Sequence, residues 1–217
     1  MVAGDGPRFV SRAGNKLAAA LDRFDVAVAG RHAVDIGSST GGFTDCLLQR
    51  GAASVTAIDV GRHQLHERLR ADPRVDVHER TNIRHADPAA LGGPRELVVA
   101  DLSFISLRTV APRIVALAVT GADVVVLVKP QFEAVRTEAD RGRGVIRDPE
   151  VWRRTVLDVS RALIDDGAAI MGVMVSPIRG GDGNVEFLVH ARDGASAPSS
   201  AALASWCDAA IAEAGGD

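Results

Sequence analysis

The sequence predicts a single α/β domain built on a mostly parallel sheet. Three observations carry this reading. Short apolar runs alternate along the chain with amphipathic stretches of helical period. The first run, Ala33-Val34-Asp35-Ile36, stops at Gly37 and gives way to the pair Gly41-Gly42, as the opening strand-turn-helix unit of a doubly wound sheet does. Val124-Val125-Val126-Leu127-Val128 is apolar at every position, which suits a central parallel strand covered on both faces.

The elements follow in order. Ser11 is placed to cap a helix with the stripe Leu17, Leu21 and Phe24, and Gly30 closes that region. A strand is expected near 32–37, a helix near 42–50, a strand near 53–59, a helix near 62–70 and a strand near 75–80. The strand Glu96–Asp101 precedes a helix near 107–118, and Asp123–Lys129 is the next strand. Asp148-Pro149-Glu150 opens a helix with a cap, a first-turn proline and an acid at the positive dipole end. Its inward face carries Trp152, Val156, Val159 and Leu163. Ala168–Val175 and Val185–Ala191 are joined by SPIRGGDGN without a helix, so they form an antiparallel hairpin. Residues 194–200 read as a linker to a short helix with Leu203, Trp206, Ala210 and Ile211 on one side. The domain plan is therefore a short linker over 1–10, the domain over 11–192, and a linker and helix over 193–217 packing on that domain.

Composition narrows the function classes. The 217 residues give ample length for one buried core. Aromatic content is 4% with no tyrosine, which argues against a surface that stacks many bases. The net charge is −3, so any nucleic-acid contact must use a local patch or a partner. Cys46 and Cys207 match no metal spacing and fit a reducing compartment, and the N-terminus has no apolar signal core. Ile114–Val128, the longest apolar stretch, is too short to span a bilayer and is broken by Gly121 and Asp123. A cytoplasmic protein, with neither a membrane segment nor a metal, is the expectation.

The glycine loop points to a cofactor. Glycines there let backbone N–H groups approach a ligand where a Cβ would collide. A dinucleotide fingerprint needs G-x-G-x-x-G, and the run Gly37, Ser38, Ser39, Thr40, Gly41, Gly42 lacks its second glycine. Asp59, twenty-two residues beyond Gly37, ends the second apolar run, where an acid can accept ribose hydroxyls or simply cap a helix. Other polar residues also sit at the carboxyl ends of strands: Asp101, Lys129, Asn82, and Glu186 at the start of the final strand. A lysine ending an all-apolar strand needs a partner or a lowered pKa, unless it snorkels to the surface. Asp101 and Glu186 are its candidate partners.

D-x-G-x-x-x-G-G-F (35–43) resembles the first motif of S-adenosylmethionine-dependent methyltransferases, especially the FtsJ-like group. Together S-R-A-G-N-K-L (11–17), D-I-G-S-S-T-G-G-F (35–43), V-A-D-L-S-F-I-S (99–106), V-K-P-Q-F-E (128–133) and G-N-V-E-F (183–187) resemble the TlyA family of FtsJ-like rRNA 2′-O-methyltransferases, also named haemolysins. The likeness runs from about residue 8 to about residue 192. It implies a Rossmann-like methyltransferase fold of seven strands, with helices on both faces and an antiparallel C-terminal hairpin. It implies S-adenosyl-L-methionine as cofactor and ribosomal RNA or ribosomal subunits as partner.

The resemblance places the family's catalytic set on Lys16, Asp101, Lys129 and Glu186. It places the cofactor pocket on Asp35, Gly37, Ser38, Ser39, Thr40, Gly41, Gly42, Phe43 and Asp59, with Asn82, Asp101 and Leu102 as further walls. Arg8 and Arg12, and Arg141 and Arg143 in the loop after Lys129, are the candidate RNA contacts. Members of that family usually carry a small N-terminal S4-like RNA-binding domain, and this chain starts near the end of that domain's linker. The expectation is therefore a separate or missing N-terminal RNA-binding domain and weak RNA recognition by this chain alone. Two alternatives stand beside this reading. The haemolysin name suggests a membrane-active protein, but no basic amphipathic helix with an aromatic face supports it. A catalytically silent RNA-binding module is opposed by the complete Lys/Asp/Lys/Glu set.

Overall fold

The computed structural model describes residues 7–216, apart from the side chains of residues 139–141. The elements are α1 (Ala13–Arg23), β1 (His32–Ile36), α2 (Gly42–Gln49), β2 (Ser54–Ile58), α3 (Glu67–Arg70), β3 (Val75–His78), β4 (Arg95–Ala100), α4 (Leu107–Ala116), β5 (Ala118–Val128), α5 (Pro130–Glu133), α6 (Arg136–Arg141), α7 (Pro149–Asp165), β6 (Ala168–Val175), β7 (Phe187–Asp193) and α8 (Ser200–Ala214). The strands form one sheet in the order β3-β2-β1-β4-β5-β7-β6. The first five are parallel to their neighbours, and β7 lies antiparallel between β5 and β6. This is the predicted class, hairpin included.

Strand alternation divides the core into two layers. Val34, Ile36, Val98, Val124, Val126 and Val128 pack beneath α4, α7 and α8. Ala33, Leu97, Val99, Val125 and Leu127 pack with Leu17, Leu21, Phe43 and Leu47 of α1 and α2. A parallel strand sandwiched between helices must be apolar on both sides, which is why β5 shows no polar alternation. The α7 start is as predicted: Asp148 Oδ1 accepts from Glu150 N at 2.9 Å, and Trp152, Val156, Val159 and Leu163 are all buried.

Several expectations need correction. Ser11 makes no side-chain cap to α1; its carbonyl receives Gly14 N at 3.2 Å instead. The helix expected over 62–70 shrinks to Glu67–Arg70, because Asp59 Oδ1 captures Gly61 N at 2.6 Å and holds the chain as a loop. β5 begins five residues earlier than predicted, adding an irregular pairing of Ala118 with Arg95. The last strand starts at Phe187, so Glu186 precedes it. In α8 the buried stripe is Leu203, Cys207, Ala210 and Ala214; Trp206 and Ile211 flank it, only partly buried.

One buried charge cluster ties the sheet to the loop before β1. Asp123, 2% exposed, accepts from Arg31, His190 and Arg192 at 2.7–2.9 Å. Burial pushes this carboxyl up, but the three hydrogen-bonded partners outweigh it and hold Asp123 below the usual carboxylate range. A depressed carboxyl stabilises the fold above its unfolded pKa of about 3.9, and that stability drains away as pH falls below it. Asp123→Asn is therefore expected to cost about 3 kcal/mol at pH 7. The gap to the parent should narrow in acid. Urea denaturation at pH 7 and at stepwise lower pH checks both.

Candidate active site

The site begins where the glycine loop meets β4. Gly37 has φ +84°, and a Cβ there would stand 2.4 Å from the Asp101 carbonyl oxygen. Only glycine allows that approach. Gly37 N donates to Ile58 O at 2.8 Å, and Ser39, itself in the left-handed region, donates its N–H to Asp59 Oδ2 at 2.8 Å. Asp59 thus binds the loop with one oxygen and Gly61 with the other. Beneath the loop Asp35 is fully buried and receives Thr44 Oγ1 at 2.6 Å, while its Oδ1 has no partner. Burial pushes its carboxyl up to about 7.

Two cavities open at the carboxyl ends of the strands. The larger, about 310 Å³, takes Gly37, Ser39, Asp59, Asp101 and Leu102 from the predicted pocket, with Ile58, Val60 and Ile83 as apolar walls. The smaller, about 140 Å³, takes Gly37, Ser38, Ser39, Thr40, Gly42 and Phe43 with Asp101 and Lys129. Gly37, Ser39, Asp101 and Ser103 line both, so the cavities share a wall.

Three residues of the predicted cofactor pocket stand outside the cavities. Asp35 lies below them. Gly41 packs on α3, where a Cβ would meet Leu69 at 2.2 Å and Leu65 at 2.8 Å. Asn82 is exposed and turns its Oδ1 onto Arg84 N at 3.0 Å; Thr81 and Ile83 on either side form the wall instead.

The four charged residues form two pairs. Lys129 Nζ stands 2.6 Å from Asp101 Oδ1 and donates to Ser103 Oγ at 2.9 Å. Glu186, the other candidate partner for Lys129, pairs with Lys16 instead, across 170 positions of sequence. Lys16 is 8% exposed and Glu186 is 3% exposed. The second pair lines neither of the two cavities; Glu186 faces a third, beside Ser176 and Arg179. Glu186 is held in place because Ser176 N donates to its carbonyl at 2.8 Å. Nearby Asn184, also buried, ties Gly144 and Ile146 to the same turn.

Ser103 was missed by the sequence reading, since a serine in a loop carries no signal of its own. Lys16 had a signal that composition alone did not exploit. The chain contains two lysines against 23 arginines, and both lysines are in these pairs.

Of the candidate RNA contacts, Arg8, Arg12 and Arg143 are exposed, and Arg8 rests its guanidinium 4.9 Å over the Phe9 ring. The side chain of Arg141 lies outside the described ones. Among the described residues no group of His, Cys, Asp and Glu could hold a metal ion, and no helix is long and apolar enough to cross a membrane.

The family model of the FtsJ-like methyltransferases matches residues 9–193. The chain is 53% identical over 184 residues to the 16S/23S rRNA (cytidine-2′-O)-methyltransferase TlyA of Mycobacterium tuberculosis, spanning 85% of this chain and 68% of that protein. A solved Lactococcus lactis protein, named as a candidate hemolysin, superposes with a TM-score of 0.89 at 40% identity, covering 97% of this chain and all of that one. The N-methyltransferase NodS of Bradyrhizobium japonicum, solved with S-adenosyl-L-homocysteine, shares the fold at a TM-score of 0.61 and 17% identity, covering 89% of this chain and 94% of that one.

The packing of Gly41 makes a distinct prediction. Its φ of +98° and its contact with Leu65 and Leu69 mean that Gly41→Ala strains the loop and displaces α3. A loss of at least about 2 kcal/mol is expected, visible as a lower Tm in the absence of any ligand.

Proposed function

This chain belongs to the FtsJ-like methyltransferase family, and we propose that it transfers a methyl group from S-adenosylmethionine to a ribose 2′-hydroxyl of ribosomal RNA. The observation that carries the reading is the shared wall of the two cavities. A nucleoside-sized space ending at Asp59 abuts a small space ending at Lys129 and Asp101.

The larger cavity fits the cofactor. Each Asp59 oxygen accepts one backbone N–H, which leaves lone pairs for two ribose hydroxyls. Ile58, Val60, Ile83 and Leu102 offer an apolar slot for a planar base. The N–H groups of Gly37, Ser38, Ser39 and Gly41 are donated within the protein, so what the loop offers the cofactor is the positive end of α2. S-adenosylmethionine, when bound, supplies a methyl on a sulfonium, already a strong electrophile.

The protein's task is then alignment and proton management. The ribose oxygen gains the methyl and loses its proton. Lys129, in its neutral amine form, is assigned to receive that proton, because its amine ends at the wall between the two cavities. The ammonium paired with Asp101 is the form left after transfer and must lose its proton to solvent before the next turnover. Asp101, 2.6 Å away, steadies the ammonium that results, and Ser103 fixes the amine's direction. An arginine could not serve, since its guanidinium does not give up a proton. Lys16 and Glu186 form a buried second pair outside the two cavities, and the family resemblance assigns it to the same catalytic set. Arg8, Arg12 and Arg143 are assigned to RNA phosphates; their contacts weaken as salt rises.

Two measurements test this. Lys129→Ala should abolish transfer of labelled methyl to ribosomal subunits while S-adenosylhomocysteine binds within a few-fold of the parent. An active Lys129→Ala protein removes the lysine from the chemistry, and label mapped to a base or to protein overturns the reaction class. Asp59→Ala should weaken S-adenosylhomocysteine at least about tenfold by calorimetry, the loss of a charge-assisted pair of hydrogen bonds.

A further inference from the structure

Lys129 has a flexible four-carbon stem, yet the site requires its amine at one point. Two short segments meet around it. One is Lys129 with the single turn α5, closed by Phe132 N to Lys129 O at 2.9 Å and Ala134 N to Pro130 O at 2.8 Å. The other is the loop from Asp101 to Ser106, whose Asp101 N is pinned to Ile36 O at 3.0 Å. Lys129 Nζ to Ser103 Oγ joins the segments at one end.

Glu133 joins them at the other. Its Oε2 accepts from Ser106 Oγ at 2.5 Å and its Oε1 from Leu107 N at 2.6 Å. Arg108 stands 3.4 Å from the same carboxylate and donates to the Glu133 carbonyl at 3.1 Å. The side chain is 2% exposed. Ser106 already caps α4 through Arg108 N at 3.2 Å. A buried carboxylate is a costly way to add a second cap, and burial does push this carboxyl up. Its distinctive effect is geometric: with it, the two segments close into a ring that runs Lys129, α5, Glu133, Ser106, Ser103 and back to Lys129.

We propose that Glu133 is a positioning residue for the methyl transfer: by clamping α5 to the Asp101–Ser106 loop it sets where the Lys129 amine stands relative to Ser103 and Asp101. This rests on the assignment of Lys129 above. Glu133 touches neither cavity, so it acts through the ring and not on ligand. A displacement of the order of 1 Å at a reacting group costs about a hundredfold in rate.

The test compares Glu133→Ala, Glu133→Gln and Ser106→Ala. Glu133→Ala should lower kcat about ten- to a hundredfold, with KM for ribosomal subunits and the affinity for S-adenosylhomocysteine little changed. Glu133→Gln should recover most of the rate, because its amide oxygen still accepts from Leu107 N. Ser106→Ala, a smaller lesion, should show a weaker fall of the same kind and serves if Glu133→Ala fails to fold. A second readout does not depend on turnover. With two lysines in the chain, lysine-selective isotope labelling gives two side-chain NMR signals. Glu133→Ala should move the Lys129 signal and leave that of Lys16, and Glu133→Gln should restore it. Unchanged kcat with an unmoved Lys129 signal overturns the proposal, as does a loss that appears in cofactor affinity or KM instead of kcat. If the parent protein fails to methylate ribose, the reaction assigned above fails, and the NMR comparison alone decides the role of Glu133.

Discussion

The contact between the Gly37 backbone and the Asp101 carbonyl is the constraint on which the site depends. β1 and β4 are hydrogen-bonded neighbours, so their carboxyl ends must emerge side by side. The chain leaves β1 toward α2 on one face of the sheet and leaves β4 toward α4 on the other. A crevice opens at that reversal, as it does in open α/β sheets generally. The turn after β1 has to fold tightly against the turn after β4, and the first residue of that turn has no room for a Cβ. Both cavities flank this one contact. That is why a nucleoside-sized space and a lysine-bearing space share a wall.

Around the crevice the chain keeps charge under close control. Two lysines and two acids come together in two pairs, Lys16 and Glu186 buried and Lys129 and Asp101 half-buried. Burying a pair of charges yields little net stability, because desolvation offsets most of the Coulomb attraction. Such pairs are better explained by position and chemistry than by folding energy. The contrast with Asp123 is informative. There a single buried acid is surrounded by two arginines and a histidine, remote from the crevice. Arginine supplies the fixed charge around Asp123, whereas both lysines of the chain stand in the pairs with Asp101 and Glu186.

The turns that carry these groups are short and heavily cross-linked. Asp59 binds both Ser39 and Gly61, Asn184 binds two residues of the loop before α7, and Glu133 binds the start of α4. Each uses one polar side chain to fix a short connecting segment or its junction with a helix. Such anchors let irregular backbone hold a reactive group with the precision of regular structure.

The sequence by itself determined the fold class, because hydrophobic period is a local property and each apolar run could be read in isolation. The glycine loop, the acid after β2, the all-apolar β5 and the capped start of α7 were legible for the same reason. So was the resemblance that singled out Lys16, Asp101, Lys129 and Glu186. Only the tertiary structure decided who pairs with whom. Lys16 meets Glu186 across most of the chain, and no spacing rule reaches that far. It also decided that Asn82 turns away to cap Arg84, that Gly41 serves α3 and not the cavity, and that Ser103 stands beside the amine. The α3 helix was misjudged because Asp59, read as a ligand residue, also competes for the backbone of Gly61. A side chain at a strand end can satisfy a neighbouring loop, a distant charge or a ligand with equal chemistry. Which of these it does is fixed by what the folded chain brings within hydrogen-bonding distance.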